Sequence, residues 1–175
     1  MAEFPAPYVI AEAGQCMEGD IDIAIKMAVD AADAGAWGFK VQFLRPETIA
    51  TSDAPKYWTD SFGTTNQRDA FDLAGCIHYD EWQPVVDACN DNGINFLATP
   101  FDLDAVDALE GYGCSRFKIA SGDITYLPLL KRIGETRGTA ILSTGASTLI
   151  EVRDALACLI NAGISEVALL ACSLI

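Results

Sequence analysis

The amino-acid sequence predicts an α/β fold in which a parallel β-sheet is covered by helices. Short apolar runs alternate with amphipathic stretches, the links between them are short, and 51% of the 175 residues are hydrophobic. We interpret the six apolar runs as strands at residues 8–13, 37–43, 94–100, 116–121, 139–145 and 166–173. We interpret the five amphipathic stretches as helices at residues 20–34, 80–92, 102–111, 126–135 and 148–162.

Capping residues mark the ends of these helices. A side-chain carboxylate can accept hydrogen bonds from the free N–H groups of a first helical turn, and glycine readily adopts the backbone that ends a helix. Three aspartates stand at predicted helix starts, Asp20, Asp80 and Asp102. Three glycines stand at predicted helix ends, Gly35, Gly93 and Gly163. Residues 45–79 break the alternation, and we interpret this long insertion after a strand as a functional loop.

Two parallel-sheet architectures remain, a closed (β/α)8 barrel and an open doubly wound sheet. No G-x-G-x-x-G turn follows the first predicted strand, which disfavours a dinucleotide-binding doubly wound sheet. We therefore predict an α/β barrel of the TIM type. A complete barrel has eight strands and usually about 250 residues. Residues 1–175 are thus expected to form a partial barrel domain, truncated after about six strands.

Composition narrows the classes of partner. A net charge of −14 disfavours nucleic acid and anionic membranes as partners. The sequence has no signal-peptide pattern, no apolar run of roughly 18 residues and no C-x-x-C pair, which together predict a cytoplasmic protein with reduced thiols.

His78 is the single histidine, so a multi-histidine metal site cannot form, and we expect it in an exposed loop. Four cysteines are expected in the core: Cys89, Cys114, Cys158 and Cys172.

Two lysines lie inside predicted buried strands. These are Lys40, which shares a strand face with Gln42, and Lys118. The apolar neighbours of each lysine belong to the opposite face of the strand, under the helices. Both lysines should therefore point into the barrel. Catalytic residues of such barrels come from the carboxyl ends of strands, and the polar residues predicted there are Glu12, Lys40, Gln42, Thr99, Lys118, Ser121, Ser143 and Thr144.

A buried ammonium group needs a partner, which leaves two interpretations of these lysines. Each lysine can pair with a carboxylate of the protein, for which Glu12 is the obvious candidate. Alternatively, both lysines and the nearby hydroxyls bind a small anion such as a phosphate or a carboxylate. Two lysines on separate strands, with hydroxyls at matching strand ends, favour the anion site.

Several motifs in order resemble the sialic acid synthase (N-acetylneuraminate synthase) family, which includes legionaminic and pseudaminic acid synthases. The motifs are "YVIAEAGQ", "FKVQF", "FLATPFDLDAVDAL", "RFKIASGDITYLPLL" and "AILSTGAST". The resemblance implies the N-terminal barrel portion of a synthase whose C-terminal antifreeze-like domain is absent here. It further implies condensation of phosphoenolpyruvate (PEP) with an N-acetylated amino sugar, such as N-acetylmannosamine. In that family a divalent metal, manganese or magnesium, activates the sugar aldehyde.

Motif positions imply a role for each polar residue. Glu12 matches the family's strand-one glutamate, a candidate catalytic acid or base. The positions matching PEP ligands are Lys40, Thr99, Lys118, Ser121 and Ser143. The positions matching the acceptor-sugar site are Gln42, Phe101 and Asp123. No metal ligand of the family is expected in this chain, and the family implies a homodimer for the full-length enzyme.

Two motifs depart from the family pattern. After "EAG" the family reads x-N-H-x-G, whereas this chain has Cys16 and Met17 at the two central positions. In the last strand, a family pattern like H-C-T-S is replaced by "ACSL", residues 171–174. These departures indicate either reduced activity or a divergent acceptor. Because the family's metal ligands are expected on strands beyond the sixth, we expect the 175-residue chain alone to be inactive. Two other functions remain open: a Schiff-base aldolase using Lys118 and a non-catalytic barrel that binds a sugar phosphate.

Overall fold

The structure, a computed structural model, describes residues 6–59 and 63–172 and contains one parallel six-stranded sheet. The strands are β1 (Ile10–Gly14), β2 (Gly38–Phe43), β3 (Asn95–Pro100), β4 (Arg116–Ile119), β5 (Thr139–Ser143) and β6 (Glu166–Leu170). Each of the six predicted strands is present. Their observed ends lie up to three residues inside the predicted ones, except that β1 ends one residue beyond its predicted end.

The strand order decides between the two candidate architectures. The order is β1-β2-β3-β4-β5-β6, with every neighbouring pair parallel. A doubly wound sheet reverses its strand order at a switch point, whereas a barrel adds each strand beside the preceding one. The TIM-barrel type is therefore confirmed, with six described strands in place of the eight of a closed barrel.

Helices connect the strands, and all five predicted helices are present. The helices are α1 (Ile21–Asp33), α2 (Pro46–Ile49), α3 (Gln67–Ala74), α4 (Gln83–Asp91), α5 (Leu103–Gly111), α6 (Leu127–Glu135) and α7 (Leu149–Ala162). The short helices α2 and α3 lie inside the insertion at residues 45–79, where the sequence predicted only a loop. None of the helices in the described part of the chain is long and apolar enough to cross a membrane.

The capping predictions hold at two of three helix starts. Asp20 accepts hydrogen bonds from the second and third N–H groups beyond it, and Asp102 accepts one from the N–H of Ala105. The prediction for Asp80 is wrong, because α4 begins after Trp82 with Pro84 in its first turn. Proline fixes its own φ near the helical value and lacks an N–H, so it favours a helix start at its own position.

The core lies between the helices and the outer face of the sheet. Phe39 and Val41 of β2 are fully buried there, as are Phe117 and Ile119 of β4. Burying each such side chain contributes roughly 1.5–3 kcal/mol. The alternate residues of the same strands face the barrel interior, which confirms the predicted direction of the two strand lysines.

The histidine and the cysteines differ in their burial. His78 is exposed, as predicted, and Cys89 is buried in the core. Cys114 and Cys158 are only partly buried, and the prediction of a core position is wrong for Cys172, which is exposed just after β6. Strand β6 is largely exposed on both faces, and in the described residues it has a neighbouring strand on one side only. All six cysteines are free thiols.

Helices α6 and α7 approach closely at a glycine. A Cβ atom added to Gly134 of α6 would lie 2.4 Å from the Cβ of Ala162 and 2.9 Å from the carbonyl oxygen of Leu159. Both distances are too short for carbon contacts in a packed core. The absence of a side chain at Gly134 therefore sets how closely the two helices pack.

We expect Gly134→Ala to lower the free energy of unfolding by about 1–3 kcal/mol, because an added methyl group overpacks the contact between α6 and α7. The matched control is Gly111→Ala in α5, where an added Cβ meets nothing within 4 Å. That control should be neutral or stabilise by up to about 1 kcal/mol, the helix preference of alanine over glycine. Chemical denaturation of both variants measures the difference, and equal effects would refute the steric explanation.

Candidate active site

The carboxyl ends of the strands bring the polar residues to one mouth of the partial barrel. In the register of the sheet, Glu12 lies beside Lys40 and Gln42 lies beside Thr99. Farther along the sheet, Lys118 of β4 lies beside Ile141, which is two residues before the end of β5. Residues paired in register lie at the same level along the barrel axis. Glu12 and Lys40 therefore lie at one level of the inner face, and Gln42 and Thr99 lie at the next level toward the mouth.

Glu12, Lys40 and Thr99 form one connected group. The Lys40 Nζ is ion-paired with Oε2 of Glu12 and donates a hydrogen bond of 3.4 Å to Oγ1 of Thr99. The Lys40 side chain is 13% exposed and Thr99 is 4% exposed, whereas the Glu12 side chain is 44% exposed. The first interpretation, a carboxylate partner from the protein, therefore holds for Lys40.

Lys118 has a different environment. Within residues 6–59 and 63–172, no carboxylate oxygen lies within 4 Å of its Nζ, and its hydrogen bond goes to the main-chain carbonyl of Ile119 at 2.7 Å. Burial, and after it the nearby ammonium of Lys40, lowers the pKa of Lys118 to about 8. Nearby Cys172, Glu12 and Asp123 act in the opposite direction. Lys118 thus lacks the protein counter-charge that Lys40 has, and an anion site at Lys118 stays a prediction.

A short 3-10 helix, Ser121–Asp123, follows β4 and brings Asp123 toward Lys118. Burial raises the pKa of Asp123, and the charge of Lys118 partly offsets that rise. The carbonyl oxygen of Ser121 accepts a hydrogen bond of 3.3 Å from Oγ of Ser147. This bond joins the turn after β4, which contains Asp123, to the loop after β5.

The remaining predicted site residues lie at the same mouth, and in the described part of the chain no hydrogen bond joins them to the two lysines. Within the described residues, the side chains of Gln42, Ser121 and Ser143 form no hydrogen bond. Phe101 follows β3, and its N–H donates to the carbonyl of Phe43 at 3.1 Å, which continues the pairing of β3 with β2. These four residues are partly exposed, so their polar or aromatic groups are accessible from the mouth.

A cluster that the sequence did not predict supports the loop beyond β2. The Arg45 guanidinium lies 3.2 Å from Asp102 and 2.7 Å from Asp104. Asp102 also accepts hydrogen bonds from the hydroxyls of Thr48 and Tyr79 at 2.8 and 3.0 Å. The sequence indicated Asp102 only as a helix cap. Its further partners are 23 to 57 residues away in the chain, and only the fold brings them together.

The two departures from the family motif have distinct environments. Met17 is 1% exposed and belongs to the hydrophobic core, whereas Cys16 is exposed on the loop after β1. In the same loop, Nε2 of Gln15 donates to the carbonyl of Gln42 at 3.1 Å and holds the loop against the end of β2. The departure at Ser173 and Leu174 lies outside the described residues.

Metal coordination does not fit this part of the chain. In the described ranges, no group of three His, Cys, Asp or Glu side chains is arranged to hold a metal ion. The acidic residues of α1 face solvent, and Lys26 pairs there with Asp30. We therefore derive no chemical step through a metal from these residues.

The fold and the mouth together define a TIM-barrel-type α/β protein whose polar side chains gather at the carboxyl ends of its strands. The model of the NeuB family matches residues 25–175, and the chain belongs to that family. This membership confirms the resemblance found in the sequence.

Two named relatives and one solved structure illustrate the match. The chain is 37% identical to the N,N'-diacetyllegionaminic acid synthase of Campylobacter jejuni over 153 residues, which cover 85% of this chain and 45% of the relative. It is 26% identical to the human N-acetylneuraminate-9-phosphate synthase, covering 81% of this chain and 40% of the relative. The crystal structure of an N-acetylneuraminic acid synthetase from Leptospira borgpetersenii superposes with a TM-score of 0.78 and 29% identity, over 95% of this chain and 54% of that one. The chain thus spans about half the length of the relatives it matches.

The electrostatic coupling within the mouth gives a two-sided test. Lys40→Met should raise the pKa of Lys118 above its value of about 8, because a repelling ammonium is removed. Glu12→Gln should lower that pKa, because an attracting carboxylate is removed. NMR titration of the Lys118 ε-position measures both shifts. Shifts of the same sign in the two variants would contradict the described arrangement.

Proposed function

We propose that this chain forms the PEP-binding part of a synthase that condenses PEP with an N-acetylated amino sugar to give a nonulosonic acid, in carbohydrate biosynthesis. The observation that carries the proposal is the half-buried Lys118, which has no carboxylate partner in the described residues and lies near the connected pair of Lys40 and Thr99. Family membership supports it, since relatives bear the names of legionaminic, pseudaminic and N-acetylneuraminate-9-phosphate synthases.

The chemistry of PEP matches this group of side chains. PEP carries a phosphate and a carboxylate, so it needs several cationic or hydroxyl donors at one place. Lys118 can donate its remaining N–H bonds to one anionic group, while Lys40 and the Thr99 hydroxyl can donate to the other. In a chain with a net charge of −14, the Lys118 ammonium, which has no carboxylate partner in the described residues, selects the position at which the PEP anion binds.

The acceptor sugar is proposed to bind above PEP, toward Gln42, Phe101 and Asp123. Gln42 offers amide groups for the sugar hydroxyls, and Phe101 offers an aromatic surface for the ring. Glu12 is proposed as the acid or base of the reaction. Its side chain is 44% exposed, so the carboxylate can reach a substrate and exchange a proton with it. In its ionised form the carboxylate is paired with the ammonium of Lys40.

A divalent metal such as manganese or magnesium, if it takes part, needs ligands other than the residues described here. The proposed partners are small molecules, PEP and the amino sugar, with neither nucleic acid nor membrane. A homodimer is proposed for the whole enzyme. The six free cysteines support a reducing, cytoplasmic location.

The direct test of the proposal is calorimetric titration of the chain with PEP. Lys118→Met should weaken PEP binding by about 10- to 150-fold, because a charge-assisted hydrogen bond worth roughly 1.5–3 kcal/mol is lost. The matched control is Lys131→Met, which removes a lysine that is 69% exposed and pairs with Glu135 on the surface of α6.

The control should bind PEP as tightly as the unaltered chain. Equal affinity for Lys118→Met and the unaltered chain would remove Lys118 from the site. The absence of PEP binding by the unaltered chain would count against the proposed function itself.

The acceptor assignment has a separate test. Gln42→Ala should weaken binding of N-acetylmannosamine about tenfold in the presence of PEP, because a hydrogen-bonding amide is removed from the sugar site. Its effect on PEP alone should be less than about twofold. Titrations with each ligand measure the two effects. A larger effect on PEP binding than on sugar binding would contradict the assignment of Gln42 to the acceptor site.

A further inference from the structure

Lys118 combines features that anion binding alone does not require. Its Nζ is half-buried at the mouth, and in the described part of the chain it has no ion-pair partner. Charged or titratable groups face it from four places: Glu12 of β1, Lys40 of β2, Asp123 of the turn after β4 and Cys172 beyond β6. An amine in this position can lose its proton without breaking an ion pair.

We propose that Lys118 is also a carbonyl-trapping amine, which forms an imine with a small 2-oxo acid such as pyruvate at the mouth of the partial barrel. The proposal does not depend on the PEP-dependent condensation, because PEP has an enol phosphate in place of a free ketone. The two ligands would compete for one residue in its two protonation states: the ammonium binds the anion, and the neutral amine attacks the carbonyl.

The protonation state of Lys118 supports this chemistry. Burial, together with the nearby ammonium of Lys40, lowers the pKa of Lys118 to about 8. About one Lys118 in ten is then neutral at pH 7, far more than for a lysine at the model-peptide pKa. Desolvation beside a second cation is one of the ways by which proteins activate lysine as a nucleophile.

The neighbouring side chains select an acid over a neutral aldehyde. The Lys40 ammonium and the Thr99 hydroxyl are hydrogen-bonded to each other at 3.4 Å, and both can donate to a carboxylate. A 2-oxo acid has that carboxylate next to its carbonyl carbon. Binding of that carboxylate at Lys40 would therefore orient the ketone carbon toward Lys118.

The covalent step balances without any further reagent. The lone pair of Lys118 Nζ attacks the carbonyl carbon and forms a C–N bond, while the carbonyl oxygen gains a proton and the nitrogen loses one. The resulting hydroxyl group then leaves as water, and a C=N bond forms. Asp123 lies close enough to Lys118 for their charges to interact, and burial raises the pKa of its carboxyl group. We assign to it the supply of the proton for that water.

Reductive trapping tests the proposal on the unaltered 175-residue chain. Pyruvate and borohydride are added at pH 7.5, and mass spectrometry of the digested protein measures the N-carboxyethyl adduct at each lysine. Lys26 and Lys131 serve as references in the same sample, because their side chains are 73% and 69% exposed. We expect at least about tenfold more adduct at Lys118 than at either reference lysine.

Two variants complete the test. Lys118→Arg keeps the positive charge but has no reactive amine, so total adduct should fall to the level of the reference lysines. Lys26→Arg should leave the Lys118 adduct unchanged. Excess PEP should suppress the adduct at Lys118 and not at the references.

Each outcome distinguishes this proposal from the proposed function. Labelling of Lys118 no greater than that of Lys26 and Lys131 would overturn the imine proposal, even where calorimetry still detects PEP binding. Because this comparison is made within the unaltered chain, it stands whether or not Lys118→Arg folds. Strong Lys118 labelling in a chain that does not bind PEP would support the imine and reject the synthase assignment.

Discussion

Parallel pairing in chain order is the constraint on which the rest of the structure depends. Because each strand pairs with the next, the crossover helices all pack on one face of the sheet and the carboxyl ends of all strands meet at one edge. The outer face then holds the apolar core, with Val41 and Phe117 fully buried. The inner face is left for residues that contact solvent and ligands, and both strand lysines belong to it.

The two lysines of the inner face are accommodated in different ways. Lys40 has an ion pair with Glu12 and a hydrogen bond to Thr99, so its charge is balanced within the protein. Lys118 donates to the carbonyl of Ile119, a dipole without net charge. Burial of Lys118, together with the neighbouring ammonium of Lys40, lowers the pKa of Lys118. This environment of Lys118 is the basis of the two roles proposed for it.

The loops at the mouth are held by contacts between segments that are distant in the chain. Asp102 joins the start of α5 to Arg45 and Tyr79, which lie at opposite ends of the insertion after β2. Gln15 joins the loop after β1 to the end of β2. Such contacts fix the positions of site residues that the strands alone do not hold, including Phe101 next to Asp102. An acceptor sugar would meet a mouth whose shape depends on these loop contacts.

The sequence by itself determined the strands, the main helices and the direction of the strand lysines, because these follow from local periodicity. An apolar residue at every second position of a strand defines the buried face, and Asp20 and Asp102 cap helices through bonds to residues within three positions. It could not determine that Lys40 pairs with Glu12, since strand register and side-chain reach decide that contact. The same applies to Lys118, which among the described residues has no carboxylate oxygen within 4 Å of its Nζ. The same holds for Asp102, whose partners are up to 57 residues away, and for Cys172, whose exposure depends on which strands flank β6. Only the tertiary structure decides such features, because their energies arise between segments that local sequence does not relate.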